Sequence, residues 1–263
     1  MKQPSIFISH GAPTIVIDGS QISVAIRELS SQFAKPDAIV IASAHFETNI
    51  VEVVSDPAPD MLYDFGPFDP RLFEMDYPAK GSPVIAGQVL QLLKQAGINS
   101  QPNSKRPYDH GIWTPLMLAF PEADIPVVQI SVQPSKDANH HFKIGKALSG
   151  LRDNNILVIG SGHITHNLRA VFNAMQGRVL DPEMKAKTDQ FVGYMEQNLV
   201  EGNCEALLDW EQGAPFALEN HPTPEHFMPL FIAYGAGGEN TRATLLHRST
   251  QYELFVSDIW RFD

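Results

Sequence analysis

A single cysteine, Cys204, stands in a chain of 263 residues. One thiol excludes an internal disulfide and any thiolate metal cage. A bound metal would therefore depend on imidazole and carboxylate ligands. No run approaches the roughly 18 consecutive apolar residues of a membrane-spanning helix. The opening Met1-Lys2-Gln3-Pro4 has no charged segment followed by an apolar core, so a secretory signal is not expected. Basic residues are scarce: 19 Lys and Arg oppose 30 Asp and Glu, for a formal net charge of −11. That balance argues against nucleic acid and against anionic membrane as partners, because both need a positive footprint. Internal repeats, low-complexity segments and the oxygen-rich clusters that calcium or magnesium require are also missing. These absences together predict a cytoplasmic protein.

What is present is ordinary globular composition, 43% hydrophobic and 19% charged residues. A chain of this length removes roughly three quarters of its unfolded surface from water. Short runs rich in Ile and Val, at Ser5–Ile8, Ala38–Ala42, Val127–Ile130 and Ile156–Ile159, read as strands buried on both faces. Helical patterns lie between them at Gln21–Phe33, Pro83–Ala96, His140–Leu151 and Met184–Asn198. Ser82 is a natural N-cap for the second helix, with Pro83 at its first position. Ala243–Ser249 and Glu253–Trp260 read as closing strands. The order predicts an α/β fold with a mostly parallel central sheet flanked by helices. Pro/Gly-rich loops such as Gly66-Pro67-Phe68-Asp69-Pro70 are followed at once by periodic structure, so residues 1–263 are expected to form one domain.

Ten histidines are present, and their positions carry the functional signal. His10 ends the first strand, His45 follows the second, and His163 and His166 follow the run Ile156–Ile159. Strand ends of an open α/β sheet converge on a crevice where ligands bind. Three strands delivering imidazole to one edge predict a metal or catalytic site, and imidazole with little carboxylate points to Zn, Fe or Cu. A surface or hydrogen-bonded loop role is the competing reading of any one of these histidines. Asp109-His110 precedes a helix-like run, where Asp109 is either an N-cap with His110 stacked on Trp113 or part of a site. In His221-Pro222-Thr223-Pro224-Glu225-His226, Thr223 and Pro224 look like the cap and first position of the last helix. That start would aim Glu225 or His226 into the cleft. His140, His141 and His247 are expected to be structural.

Five motifs occur in one order: Ser9-His10-Gly11-Ala12-Pro13, Ser43-Ala44-His45-Phe46, Asp109-His110-Gly111, Gly160-Ser161-Gly162 with His166-Asn167-Leu168, and Pro222-Thr223-Pro224-Glu225-His226-Phe227-Met228-Pro229-Leu230. In this the chain resembles the DOPA-dioxygenase branch of the class III extradiol ring-cleaving dioxygenases, related to the catalytic subunit of protocatechuate 4,5-dioxygenase, over nearly its whole length. The resemblance implies one divalent metal per chain, with Fe(II) expected for activity and Zn(II) possible in the same ligands. It implies His10, His45 and His226 as metal ligands, with Glu225 a competitor for the third place because better-known relatives use a carboxylate there. It implies His166 as the acid/base residue and His110 as a second polar group, acting on a catechol-type ring and O₂. His163, Tyr63 and Trp113 are expected beside the site or against the substrate. Two other functions share these residues: a zinc-dependent hydrolase, and a non-catalytic protein that holds zinc on the same scaffold.

Overall fold

A computed structural model describes residues 2–178 and 181–263. Eight strands form one sheet: β1 (Ser5–Ser9), β2 (Ala38–Glu47), β3 (Val51–Val54), β4 (Ser100–Asn103), β5 (Val127–Val132), β6 (Ile156–Gly162), β7 (Ala243–Gln251) and β8 (Phe255–Phe262). Their spatial order is β4-β3-β5-β2-β6-β1-β8-β7. The central four, β5, β2, β6 and β1, run parallel. Antiparallel pairing appears at β3/β5, β1/β8 and β7/β8.

The Ile and Val runs become central strands because every side chain in them is buried, and the pleat sends alternate residues to opposite faces. Ala38, Val40 and Ala42 join one apolar cluster with Val128 and Val158. Ile39 and Ile41 join the other with Ile6, Ile8, Leu157 and Ile159. Each such Ile or Val contributes about 1.5–3 kcal/mol by leaving water. Helices α1 (Gln21–Leu29), α2 (Pro83–Gln95), α3 (His110–Ala119), α4 (Ala138–Leu148), α5 (Leu168–Met175), α6 (Met184–Glu201) and α7 (Met228–Ala236) complete the framework used below. α1 and α3 cover the Ile39/Ile41 face, whereas α4 and α7 cover the other. α7, Met228-Pro229-Leu230-Phe231-Ile232-Ala233-Tyr234-Gly235-Ala236, is buried on all sides. Its sequence accordingly shows no polar stripe.

The expected strands and helices are present with shifted ends. Ser82 caps α2 through its hydroxyl, which accepts from the Ile85 N–H, and Pro83 takes the first turn. α4 starts at Ala138 because Asp137 caps it, accepting from the His140 N–H. The last helix is a correction: Thr223 and Pro224 do not start it, and α7 begins at Met228 with Pro229 in its first turn. The reason is backbone pairing. The carbonyls of Asn220 and His226 accept from the N–H groups of His166 and His163, at 2.9 and 2.7 Å. The segment is thus committed to the loop after β6 rather than to a helix. Among the described residues no helix is long and apolar enough to cross a membrane.

Candidate metal centre

The register brings three strand ends together. Ser43 of β2 pairs with Ser161 of β6, which pairs with Ile8 of β1. His10 follows immediately after β1. His45 lies inside β2, at the irregularity between Ala42 and Glu47 where its pairing with β5 breaks. Gly11 has φ +68°, a left-handed conformation that glycine adopts without steric cost, and turns the chain away directly after His10. His226 arrives from the segment paired to the 163–166 loop. A Cβ on Gly162 would collide with the His226 carbonyl, so only glycine at 162 lets the two loops approach this closely.

The result is a cluster of imidazoles. His10 Nε2 lies 3.0 Å from His45 Nε2, and His45 Nε2 lies 3.2 Å from His226 Nε2. The opposite nitrogen of each ring faces an oxygen. His10 Nδ1 is 3.1 Å from Ser161 Oγ, and His226 Nδ1 is 2.9 Å from Glu225 Oε1. His45 Nδ1 faces Asp64 Oδ2 at 3.6 Å, an electrostatic contact longer than a hydrogen bond. The Ser161 hydroxyl donates to the Gly111 carbonyl, so its lone pair must accept from His10 Nδ1–H. The Glu225 carboxylate, when ionised, can only accept from His226. Those protons sit on Nδ1, which leaves the Nε2 atoms of His10 and His226 as lone pairs aimed at one region.

That donor set fits a transition-metal ion. Three neutral imidazoles converge, and oxygens behind them fix tautomer and ring orientation. Burial, reinforced by the neighbouring imidazoles, holds His10 and His226 far below the ordinary histidine pKa, with His45 first among the imidazoles acting on His10 and His166 first on His226. Burial first, then His110, lowers His45 to about 3, against the opposing pull of Asp64. Neutral rings are what metal ligation requires. His10, His45 and His226 form one group of atoms close enough to share an ion; His45, Asp64 and His110, and His166, Glu225 and His226, form two others around it.

Two further histidines flank the three. The His110 ring lies 4.0 Å from that of His45, and Asp64 Oδ1 accepts from both its backbone N–H and its Nδ1, at 3.0 and 2.8 Å. His166 stacks on His226 at 3.4 Å with a 12° tilt, and its Nδ1 is 3.8 Å from Glu225 Oε1. Burial lowers His166 to about 2, with His163 as the next cause. His163 stacks on Phe255 at 3.8 Å, and its ring nitrogens have no hydrogen-bond partner among the described residues. Burial lowers it to about 3.

The reading of Asp109 as a cap with His110 against Trp113 is corrected. Asp109 makes no side-chain cap bond. Its buried carboxylate instead accepts from Ser43 Oγ at 2.6 Å, Gln129 Nε2 at 2.6 Å and Arg106 at 3.1 Å. The same Arg106 nitrogen donates to the His45 carbonyl at 2.8 Å. His110 turns to His45 and Phe65, not to Trp113. Trp113 is fully buried, its Nε1 bonded to the Leu62 carbonyl, and packs beneath Tyr63 and Phe65. Tyr63 is half-buried and donates to the Met75 carbonyl. Sequence reasoning missed Arg106, Gln129 and Phe255, for which neither spacing nor motif gave a signal. His140 and His141 bond Gln133, away from the cluster, as expected of structural residues.

The chain is similar to known proteins over most of its length. Residues 4–261 match the family model described as the catalytic LigB subunit of aromatic ring-opening dioxygenase. The chain is 42% identical over 249 residues to 4,5-DOPA dioxygenase extradiol of Beta vulgaris, covering 93% of this chain and 91% of the relative. It is 35% identical to 4,5-DOPA dioxygenase extradiol of Escherichia coli strain K12, covering 89% and 85%. The crystal structure of an uncharacterized protein of Escherichia coli K12 superposes with a TM-score of 0.80 at 29% identity, over 100% of both chains.

Proposed function

The chain belongs to the family of the catalytic LigB subunit of aromatic ring-opening dioxygenase, and from that membership we propose a working site: one divalent metal held by His10, His45 and His226, opening a catechol beside its hydroxyls. Extradiol ring opening of an aromatic substrate with O₂ is the activity of this chain. The finer assignments, metal, ligands and catechol class, are our reading. One observation carries it: the Nε2 atoms of His10 and His226 both lie within 3.2 Å of His45 Nε2, and the far nitrogen of each ring faces an oxygen.

Fe(II) in that group would acidify a chelating catechol and pass electrons to O₂. The protein's own residues then do the rest. His166, stacked beside His226 and kept neutral by its burial, takes a hydroxyl proton as general base. His110 lies on the other side of the ligand set, against His45. Glu225 acts behind His226, because its oxygen is already bonded to Nδ1 of that ring. Phe65, edge-on to His110 at 5.7 Å, and Tyr63 supply aromatic surface on one side, with His163 and Phe255 on the other. Both oxygen atoms end in the product, so no external reductant is consumed. Residues 1–263 work as one catalytic unit.

Zn(II) suits the same nitrogens but has no redox chemistry. The test is O₂ uptake by protein reconstituted anaerobically with Fe(II) or with Zn(II), over a panel of catechols. Uptake with a yellow ring-opened product is expected for Fe(II) alone. Ester or amide hydrolysis by the zinc form, with no uptake by the iron form, would move the assignment to a hydrolase.

A further inference from the structure

Asp64 sits on the aromatic loop between β3 and α2, and none of the histidine motifs contains it. Its carboxylate nonetheless touches two of the clustered imidazoles. Oδ1 receives the His110 backbone N–H at 3.0 Å and His110 Nδ1 at 2.8 Å, while Oδ2 faces His45 Nδ1 at 3.6 Å. Oδ1 already accepts the backbone N–H and so acts as an acceptor, which gives the hydrogen in the short contact to His110 Nδ1. In the neutral ring the other nitrogen, Nε2, is then a bare acceptor. Two hydrogen bonds to one oxygen, from backbone and from ring, also fix the position of that ring relative to the start of α3.

We propose that Asp64 is a positioning residue of this site, locking His110 in the Nδ1–H tautomer so that its Nε2 accepts the hydrogen of a substrate hydroxyl. The inference rests on the catechol reading above. A catechol brings two hydroxyls, and two imidazoles pack directly on the convergent rings: His166 on His226 at 3.4 Å and His110 on His45 at 4.0 Å. The two are not equivalent. Among the described residues, His166 has the distant Glu225 oxygen, at 3.8 Å, to orient it, and that oxygen is shared by His226 and Thr223. His110 has a carboxylate of its own. Orientation by a carboxylate behind the ring is how an imidazole is kept in the one tautomer that can accept at its far nitrogen. Asp64 is itself anchored: Trp113 Nε1 bonds the Leu62 carbonyl at 3.2 Å, and the Leu62 N–H bonds the Tyr108 carbonyl at 2.7 Å. The loop is thereby pinned to the segment that leads into α3.

The test compares wild type with Asp64→Asn and Asp64→Ala, using ¹⁵N NMR of the histidine rings in the full-length zinc-loaded protein. His110→Gln assigns the His110 signals. Wild type should show His110 with Nδ1 protonated and Nε2 bare. Asp64→Asn keeps an acceptor oxygen and should keep that tautomer. Asp64→Ala should populate the Nε2–H form and bind catechol, titrated onto the zinc form, at least tenfold more weakly, with zinc content unchanged. A wild-type ring protonated on Nε2 would overturn the proposal, and so would an Asp64→Ala protein with wild-type tautomer and catechol affinity. Loss of zinc in Asp64→Ala would overturn it in favour of Asp64 acting at the ion, as a ligand or by holding His45. The tautomer is read without turnover, so it stands apart from the ring-opening reading, which fails if wild-type Fe(II) enzyme consumes no O₂ with any catechol.

Discussion

His45 and His226 are separated by 181 positions in the chain, yet their Nε2 atoms lie 3.2 Å apart. Two imidazole nitrogens reach this distance by sharing either a proton or a cation. His45 Nε2 is also 3.0 Å from His10 Nε2, and one ring proton cannot serve both neighbours. With oxygens claiming the Nδ1 protons of His10 and His226, the cation of our proposed site would satisfy all three nitrogens.

Removal of the convergent nitrogens should therefore differ in kind from removal of a flanking one. His10→Ala and His45→Ala are expected to lose bound metal and activity together, seen by metal analysis after dialysis. His166→Ala is expected to keep the metal and to lose about 10²–10⁴-fold in turnover, the range of a proton-transferring side chain. Wild-type turnover in His166→Ala would remove it from the role of base.

Asp109 fastens this corner of the fold. It ties Ser43 of β2, Gln129 of β5 and Arg106 together, and Arg106 in turn holds the His45 carbonyl. Burial pushes its carboxyl up, while Ser43 and Arg106 pull the other way. Asp109→Ala leaves those partners unpaired, Arg106 with some access to water, and should cost about 3 kcal/mol of folding stability, the low end for breaking a buried ion pair. Urea unfolding of the metal-free protein reads this directly. A change below about 1 kcal/mol, the worth of an ordinary single hydrogen bond, would mean the network is not a support.

How far this site was legible in the sequence follows from what each residue depends on. His10 and His163 were visible because the Ile and Val runs before them mark strands whatever lies elsewhere. That β2, β6 and β1 are neighbours was not visible, since strand order is decided by packing across the whole sheet. Thr223 and Pro224 carried a sound local helix signal, and tertiary pairing of Asn220 and His226 with the 163–166 loop overrode it. Ser161, Asp64 and Arg106 gained their roles from partners far away in sequence: Ser161 faces His10 across 151 positions. No local pattern encodes such a contact. The five-motif resemblance singled out the three histidines that cluster, because it carries the consequences of the fold without deriving them.

His141 provides a pH prediction away from the metal centre. Its ring is fully buried, donating from Nδ1 to the Asp137 carbonyl and accepting at Nε2 from the Gln133 N–H. It is therefore held neutral, and burial lowers its pKa from 6.5 to about 4. The folded state binds fewer protons than the unfolded state in that window, so stability rises with pH there. The contribution is complete above about pH 6.5 and is lost as pH falls toward 4. His141→Gln can still accept from Gln133 without titrating, and should flatten the fall in unfolding free energy, measured with urea between pH 7 and 4.5, by an amount on the order of 2 kcal/mol. Identical pH slopes in the two proteins would show that His141 does not contribute to acid sensitivity.

Glu225 and His226 are adjacent, and either could supply a third metal ligand; our proposed site takes His226 and puts Glu225 behind it. His226 presents Nε2 to His45, while its Nδ1 is bonded to Glu225 Oε1 at 2.9 Å. A carboxylate behind a ligating imidazole typically carries 10–100-fold in metal affinity, whereas a ligand carries most of the site. Glu225→Gln keeps an oxygen that can accept from Nδ1 and should bind Fe(II) or Zn(II) nearly as wild type does. Glu225→Ala should weaken affinity by roughly 10–100-fold, and His226→Ala should abolish stoichiometric binding, as read by competition with a chromophoric chelator. The reverse ranking, with metal retained in His226→Ala and lost in Glu225→Ala, would make the third ligand the carboxylate. That outcome would also change the charge at the ion, since a neutral ligand set leaves one more positive charge to stabilise a doubly ionised catechol than a set with two histidines and one carboxylate.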